Sequence, residues 1–147
     1  MLAAIDAGDR ADQLLTLTER LTALLTRETA AFERRRPHEA APTLEETGRL
    51  ANLYRHEAAR VRADPGLLSG ASPEQRLRLV RATQAFDATC RRHERAVSAA
   101  RTVTEGMVKA IADEVAASRA PAPAYGPGAT AVAAAAATSA ITLNQRA

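Results

Sequence analysis

Side chains that commonly carry catalysis or hold metal ions are few in this sequence of 147 residues, which contains three histidines and one cysteine. Cys90 and His93 lie three positions apart, so on a helix they would share a face and could supply two ligands to a metal ion. A closed zinc site needs four ligands, and the neighbouring sequence offers no others. We therefore interpret Cys90 as a small core residue beside an interfacial histidine, and we expect neither a metal ion nor a cofactor.

Sequence motifs of the common enzyme classes are also missing. There is no Glu-x-x-His pair for a di-iron site, no phosphate-binding P-loop and no Gly-x-Gly-x-x-Gly. Gly126-Pro127-Gly128 follows alanines and prolines rather than a strand. No strained turn presents a serine as a nucleophile. We expect that the protein is not an enzyme.

Arginine is the most abundant charged residue, and the net charge of the chain is +3. A basic strip for nucleic acid could be formed by Arg34, Arg35, Arg36, Arg76, Arg78, Arg81, Arg91, Arg92 and Arg95. However, Glu74, Asp87 and Glu94 lie among these arginines, and aromatic residues for base stacking make up only 3% of the chain. The pattern favours a solvated helical face with ion pairs. We expect no nucleic-acid partner, although an Arg-rich helical protein associated with nucleic acid stays open as the weakest alternative.

Two helices are predicted in the first half of the chain. From about Asp9 to Arg36, leucines and a phenylalanine recur at spacings of three and four residues, which predicts an amphipathic helix; they are Leu14, Leu17, Leu21, Leu24, Leu25 and Phe32. Pro37 and Pro42 interrupt it. Thr43 followed by Glu46 has the pattern of a capping box, which predicts a second helix from Thr43 to about Arg62.

A third helix of unusual length is predicted in the second half. Ser72-Pro73-Glu74-Gln75 combines an N-cap, a proline at the first helical position and a capping box. No proline follows until Pro121, so the helix would have about 46 residues and a length of about 70 Å. Helices of this length indicate a coiled coil or a helical hairpin.

These lengths predict an all-α fold with two possible arrangements. The first two helices could stack end to end and lie antiparallel to the third, forming an antiparallel helical hairpin. Alternatively, all three could form a three-helix coiled-coil bundle, with the second half of the very long third helix projecting past its neighbours. We assign residues 1–119 to one helical domain and residues 120–147, rich in Pro, Ala and Gly, to a flexible, disordered tail.

The sequence also predicts a location. The N-terminus lacks the basic region and apolar core of a signal peptide. The longest apolar run, Ala131 to Ala137, is too short to span a bilayer. We therefore expect a soluble, cytoplasmic protein without membrane insertion.

In combination, several stretches resemble the FlgN-type flagellar export chaperones, in a form typical of alphaproteobacteria. The resemblance covers about residues 10–147 and consists of helices and their spacing. Its stretches are Leu14 to Glu28, Glu45 to Arg55, Val97 to Arg101, Val103 to Ile111, Tyr125-Gly126 and Ile141 to Asn144. The resemblance implies a chaperone of flagellum biogenesis that binds the terminal helices of hook–filament junction proteins and delivers them to the type III export gate. It also implies that Tyr125, after the last helix, contacts the gate, although an unburied tyrosine in such a segment is often incidental.

The client-binding surface is predicted on the far half of the third helix. Apolar or small side chains form a continuous stripe there: Val97, Val103, Thr104, Met107, Val108, Ile111 and Val115. Met107 suits a variable partner because its side chain is unbranched and polarizable. The competing hypothesis is that the first helix covers this stripe permanently. A structural or assembly coiled-coil protein without a chaperone role stays open, as does a homodimer when no client is bound.

Overall fold

A computed structural model describes residues 2–119 of the chain. These residues fold into three α-helices. They are α1 (Ala7–Glu33), α2 (Ala41–Ala63) and α3 (Pro73–Arg119), and short 3₁₀ turns at Pro37–Ala40 and Pro65–Leu68 join them. No strand occurs between residues 2 and 119. The prediction of an all-α fold with a very long third helix is confirmed, and that helix has 47 residues.

Side-chain pairs fix the directions of the helices. Along α1, Arg10 pairs with Glu57 and Arg20 with Glu46, so α1 and α2 are antiparallel. Near the start of α1, the side-chain amide of Gln75 donates to Asp12 over 2.8 Å. At the end of α1, Arg92 donates to Glu33 over 2.6 Å, so α1 and α3 are parallel. The three helices therefore form a bundle, and the arrangement with α1 and α2 stacked end to end does not occur.

The core is small and centred on α1. Its buried leucines are Leu14, Leu15, Leu17, Leu21 and Leu24. No residue of α3 is fully buried, and α2 meets α3 through the rings of Tyr54 and Phe86, whose centroids are 4.9 Å apart. With so few aromatic residues, the chain cannot surround a second helix with large side chains, so α1 alone occupies the centre.

Polar groups complete the centre of the bundle. The Glu28 carboxylate is buried and accepts hydrogen bonds from the hydroxyls of Thr43 over 2.8 Å and Thr47 over 2.6 Å. The prediction that Thr43 caps α2 is therefore wrong. The 3₁₀ turn that begins at Pro37 leads directly into α2 at Ala41, and the Thr43 hydroxyl binds this buried carboxylate instead.

The predicted start of α3 is confirmed. The Ser72 hydroxyl accepts a hydrogen bond from the backbone amide of Gln75 over 3.1 Å. In return, the side-chain oxygen of Gln75 accepts one from the backbone amide of Ser72 over 2.9 Å. This reciprocal pair satisfies two backbone donors that would otherwise lack partners. None of the helices in the described part of the chain is long and apolar enough to cross a membrane.

The end of α1 has an unusual backbone. The amide of Arg35 donates to the carbonyl of Phe32 over 2.9 Å, and the amide of Arg36 donates to that of Ala31 over 2.8 Å. This pattern closes many helices and places the residue after the C-cap in the left-handed region, usually as glycine. Here that residue is Arg35, with φ of 60°.

Candidate partner-binding face

The far half of α3 extends beyond the other two helices. Helix α1 ends at Glu33, beside Arg92 and His93. From Arg101 to Arg119, every residue of α3 is exposed. Nearly twenty residues of helix, about 28 Å at 1.5 Å per residue, are thus exposed, and within the described chain only the end of α1 and the turn after it approach their base. The projection predicted for a bundle is confirmed.

The predicted apolar stripe lies on this projecting half. Val97 is half-buried at its base, and six residues beyond it are exposed: Val103, Thr104, Met107, Val108, Ile111 and Val115. Ile111, at the centre, is 62% exposed. The Thr104 hydroxyl donates to the carbonyl of Ala100 over 3.0 Å, so it is already satisfied within the helix. The competing hypothesis that α1 covers this stripe permanently is wrong, because α1 ends at Glu33, beside the base of the stripe, and the residues from Val103 onwards are exposed. We call the surface from Val103 to Val115 the distal face.

Charged side chains lie on the other side of the same helix. Arg101 donates to Glu105 over 2.7 Å, and Lys109 donates to Asp113 over 2.6 Å. At 3.6 residues per turn, Glu105, Lys109 and Asp113 project away from Ile111. Glu114, three residues after Ile111, projects from the same side as the distal face, so a partner that covers this face meets one carboxylate.

A groove of about 500 Å³ lies at the base of the distal face. The end of α1 contributes Phe32 and Glu33, the following turn contributes Arg35 and Pro37, and α3 contributes several small or apolar side chains, among them Val103 and Met107. Because Val103 and Met107 belong to both surfaces, the groove continues the distal face towards the bundle. Sequence reasoning missed this groove, because the helical spacing assigns Phe32 to the covered stripe of α1 and gives no position for Pro37.

Four arginines lie near the end of the groove that is closest to the bundle, and of these only Arg35 lines it. Arg92 binds Glu33 with two hydrogen bonds of 2.8 and 2.6 Å, and the bond from Arg92 lowers the pKa of the Glu33 carboxyl. Arg34 and Arg36 both pair with Glu39, over 3.1 and 3.3 Å. Arg35 forms no ion pair within residues 2–119. The groove therefore combines an apolar floor with the guanidinium of Arg35, and the four arginines at and near this end outnumber the two carboxylates, Glu33 and Glu39, that pair with them.

Cys90 and His93 serve the packing of the bundle. His93 Nδ1 lies 3.0 Å from the Thr29 hydroxyl, and its ring packs edge-on against Phe32 with centroids 5.9 Å apart. Cys90 is half-buried, and burial raises the pKa of its thiol. Among the described residues, no group of three or more potential metal ligands comes together.

Several arginines considered for nucleic-acid binding are engaged in contacts within the protein. Arg91 pairs with Asp87 along α3, and Arg92 pairs with Glu33. Arg76 donates to the carbonyls of Ser69 and Ala71 over 3.3 and 3.0 Å. These contacts agree with the interpretation of a solvated helical face with ion pairs.

Tyr125, the predicted contact to the export gate, lies outside the described residues, as does the whole segment 120–147. The boundary at residue 119 and the role of Tyr125 therefore stay predictions.

Comparison with known proteins gives one clear relationship. No family model matches the chain, and no solved structure matches it. The chain is 56% identical over 147 residues to the flagellar basal-body protein FlbY of Caulobacter vibrioides, and the alignment covers 99% of each of the two proteins. Identity at this level over the full length leaves no large segment of either chain without a counterpart. The chain belongs to the family of the flagellar basal-body protein FlbY.

Proposed function

We propose that this protein is a cytoplasmic chaperone for flagellar export. In this role, it holds the terminal helices of hook–filament junction proteins on the distal face of α3 and delivers them to the type III export gate. The name of its relative FlbY supports a flagellar role. The resemblance of its helices to the FlgN-type chaperones supports the finer assignment.

The observation that carries the proposal is the distal face itself. Five aliphatic side chains are exposed along this part of α3: Val103, Met107, Val108, Ile111 and Val115. A helix with an apolar stripe can lie in such a surface, as in many helix-in-groove complexes. Complete burial of one such side chain contributes about 1.5–3 kcal/mol. Because each of the five is already partly covered, their further burial contributes roughly half of that range, and burial of the client's own apolar side chains has to supply the rest of the free energy for micromolar binding, about −8 kcal/mol, after the costs of association.

A charge at the centre of the distal face tests the grip on the client. Ile111→Asp should reduce affinity for the terminal helices of junction proteins more than tenfold, because the carboxylate has to be desolvated on binding. Since Ile111 is 62% exposed, the variant should keep its helix content, and its thermal midpoint should change by less than about 4 °C. Calorimetric titration with client peptides and circular dichroism give the two measurements.

Val80→Asp is the matched control, because Val80 is 51% exposed on the same helix but outside the distal face. It should bind clients as the unmodified protein does. If Ile111→Asp unfolds the protein, the face is ordinary core and the grip lies elsewhere; if it binds normally, the distal face is not the client site.

The same proposal assigns the export-gate contact to Tyr125. A tyrosine ring offers a large apolar contact and one hydroxyl for hydrogen bonding at low entropic cost. Tyr125→Ala should therefore weaken binding to the gate in pull-down and titration experiments, while client affinity and helix content stay the same. Tyr125→Phe, which keeps the ring, should retain most of the gate affinity. Undiminished gate binding by Tyr125→Ala would remove Tyr125 from the proposal.

A structural or assembly role is the second candidate, and the same exposed face favours it. A mostly apolar stripe on a projecting helix also suits a second copy of this chain, which would give a homodimer when no client is bound. Sedimentation equilibrium separates the candidates. A dimer that clients convert to a one-to-one complex supports the chaperone, whereas self-association that clients leave unchanged supports the structural role.

A further inference from the structure

A helix that lies on the distal face cannot continue along α3 past the bundle. The last turn of α1, with Phe32, and the following turn, with Pro37, stand against α3 beside Ala96 and Ala100. This wall closes the groove at the end nearest the bundle. One end of a docked helix therefore has to stop at the wall, in contact with the groove.

The wall carries net positive charge. Arg34, Arg35, Arg36 and Arg92 face only two carboxylates, those of Glu33 and Glu39. Arg35 lines the groove and has no ion-pair partner in the chain from residue 2 to residue 119. Glu33 also lines the groove, but its carboxylate is held by Arg92 in two hydrogen bonds, so the guanidinium of Arg35 is the charge that stays available to a docked helix end.

The backbone conformation of Arg35 is a second, independent observation that distinguishes this residue. With φ of 60°, Arg35 occupies a helix-end position that glycine fills at much lower cost, because a side chain there crowds the carbonyl oxygen. Non-glycine residues in this region are concentrated at functional sites. The guanidinium of Arg35 is thus held beside an apolar groove at a backbone position that glycine would occupy at lower cost.

We infer that the client helix docks with its C-terminal end at Arg35, so that it runs antiparallel to α3 and its terminal α-carboxylate pairs with this guanidinium. A helix presents about half a negative charge at its C-terminus and about half a positive charge at its N-terminus. The opposite direction would place that positive end against the excess of arginines. This inference rests on the proposed chaperone function and adds the direction of the client and the chemistry of its last residue.

Cross-linking from the two ends of a client peptide tests the direction. The probes are synthetic peptides of about 25 residues from the C-terminus of a junction protein, with a benzophenone side chain near one end or the other, added to the full-length chain. We expect the C-terminal probe to couple to tryptic fragments with residues 32–37 or Met107, and the N-terminal probe to couple to residues 111–119. Mass spectrometry identifies the fragments.

A reversed pattern would overturn the direction alone and leave the chaperone function intact. If neither peptide binds or couples, the proposed function fails, and this inference fails with it. A second copy of the chain that holds the groove and that the peptide cannot displace would overturn the inference as well; sedimentation of the same mixtures detects it.

Arg35→Gly tests the carboxylate contact without damage to the fold, because glycine suits a φ of 60°. Its thermal midpoint should equal or exceed that of the unmodified protein. Its affinity for the peptide with a free carboxylate should fall roughly two- to fivefold, which is the size of one exposed ion pair. Amidation of the peptide terminus should cause the same loss in the unmodified protein and no further loss in Arg35→Gly.

Arg36→Ala is the matched control, since Arg36 pairs with Glu39 and does not line the groove. It should leave the difference between the free and amidated peptides unchanged. Equal affinity of the unmodified protein for the two peptides would overturn the pairing of the α-carboxylate with Arg35.

Discussion

At the scale of single residues, helical spacing predicted the apolar positions but not the charged ones that matter. The stripe from Val97 to Val115 follows from periodicity alone, because a helix repeats every 3.6 residues. Glu57, by contrast, is fully buried, although nothing in its local sequence indicates burial. Two of its partners, the side chain of Arg10 and the amide of Leu2, lie 47 and 55 positions away, and no local pattern contains such pairs; only its pair with Arg60 joins close neighbours in the sequence.

The Glu57 carboxylate makes stability depend on pH. Burial raises its pKa, but the hydrogen bonds from Leu2 and Arg60 and the charges of Arg60 and Arg10 outweigh burial, so the pKa lies below its ordinary value of 4.5. Because the folded pKa is the lower one, this stabilisation is complete well above pH 4.5 and is lost as the pH falls through the folded pKa. Glu57→Gln should lower the free energy of unfolding at pH 7 by about 3 kcal/mol.

Urea denaturation at several pH values measures this effect. The difference between Glu57→Gln and the unmodified protein should shrink as the pH falls below about 4. Glu45→Gln is the control, because the Glu45 side chain is 86% exposed in its pair with Arg49. It should change stability by less than about 0.5 kcal/mol. A pH-independent loss in Glu57→Gln would mean that packing, not charge, accounts for the role of Glu57.

At the scale of elements, the existence and length of each helix could be predicted, but not the contacts between helices. An apolar stripe indicates which side of a helix is covered, but it does not indicate which helix covers it. The sequence therefore could not distinguish the stacked arrangement from the bundle. The two capping boxes gave opposite outcomes for a physical reason. Ser72 follows a loop and has free amides to cap, whereas the amides at Thr43 already lie within α2, and its hydroxyl binds Glu28.

The cap at Ser72 should hold the start of α3 against α1. Ser72→Ala removes the acceptor for the Gln75 amide, and loss of such a cap costs about 1 kcal/mol. Thermal denaturation should show this loss, and hydrogen exchange should quicken first in the opening turn of α3. Ser98→Ala, at an exposed position in the middle of the same helix, should have no such effect. Equal exchange in both variants would argue that Gln75, through its bond to Asp12, anchors the helix without the cap.

At the scale of the whole molecule, the chain divides α3 into two unequal environments. Its first half packs on α1, which holds all five buried leucines of the described chain, while its distal half is exposed and meets only the end of α1 and the turn after it. Tertiary packing supplies most of the stability of helices in proteins. The distal half therefore depends on its own propensity and on the ion pairs Arg101–Glu105 and Lys109–Asp113 until a partner covers it. This imbalance follows from composition, because a chain with few large side chains can enclose only one helix.

Gly106 should control the order of the distal half separately from the bundle. A side chain added at Gly106 meets no atom within 4 Å, so Gly106→Ala causes no clash. Alanine in place of glycine stabilises an exposed helix by about 1 kcal/mol. Hydrogen exchange should slow for the amides around residues 103–115, whereas the urea midpoint of the bundle, which reports on α1, should not move. Gly48→Ala, equally free of clashes but within the bundle, should instead raise that midpoint. If Gly106→Ala raises the midpoint as much as Gly48→Ala does, the distal half unfolds together with the bundle and is not an independently ordered docking surface.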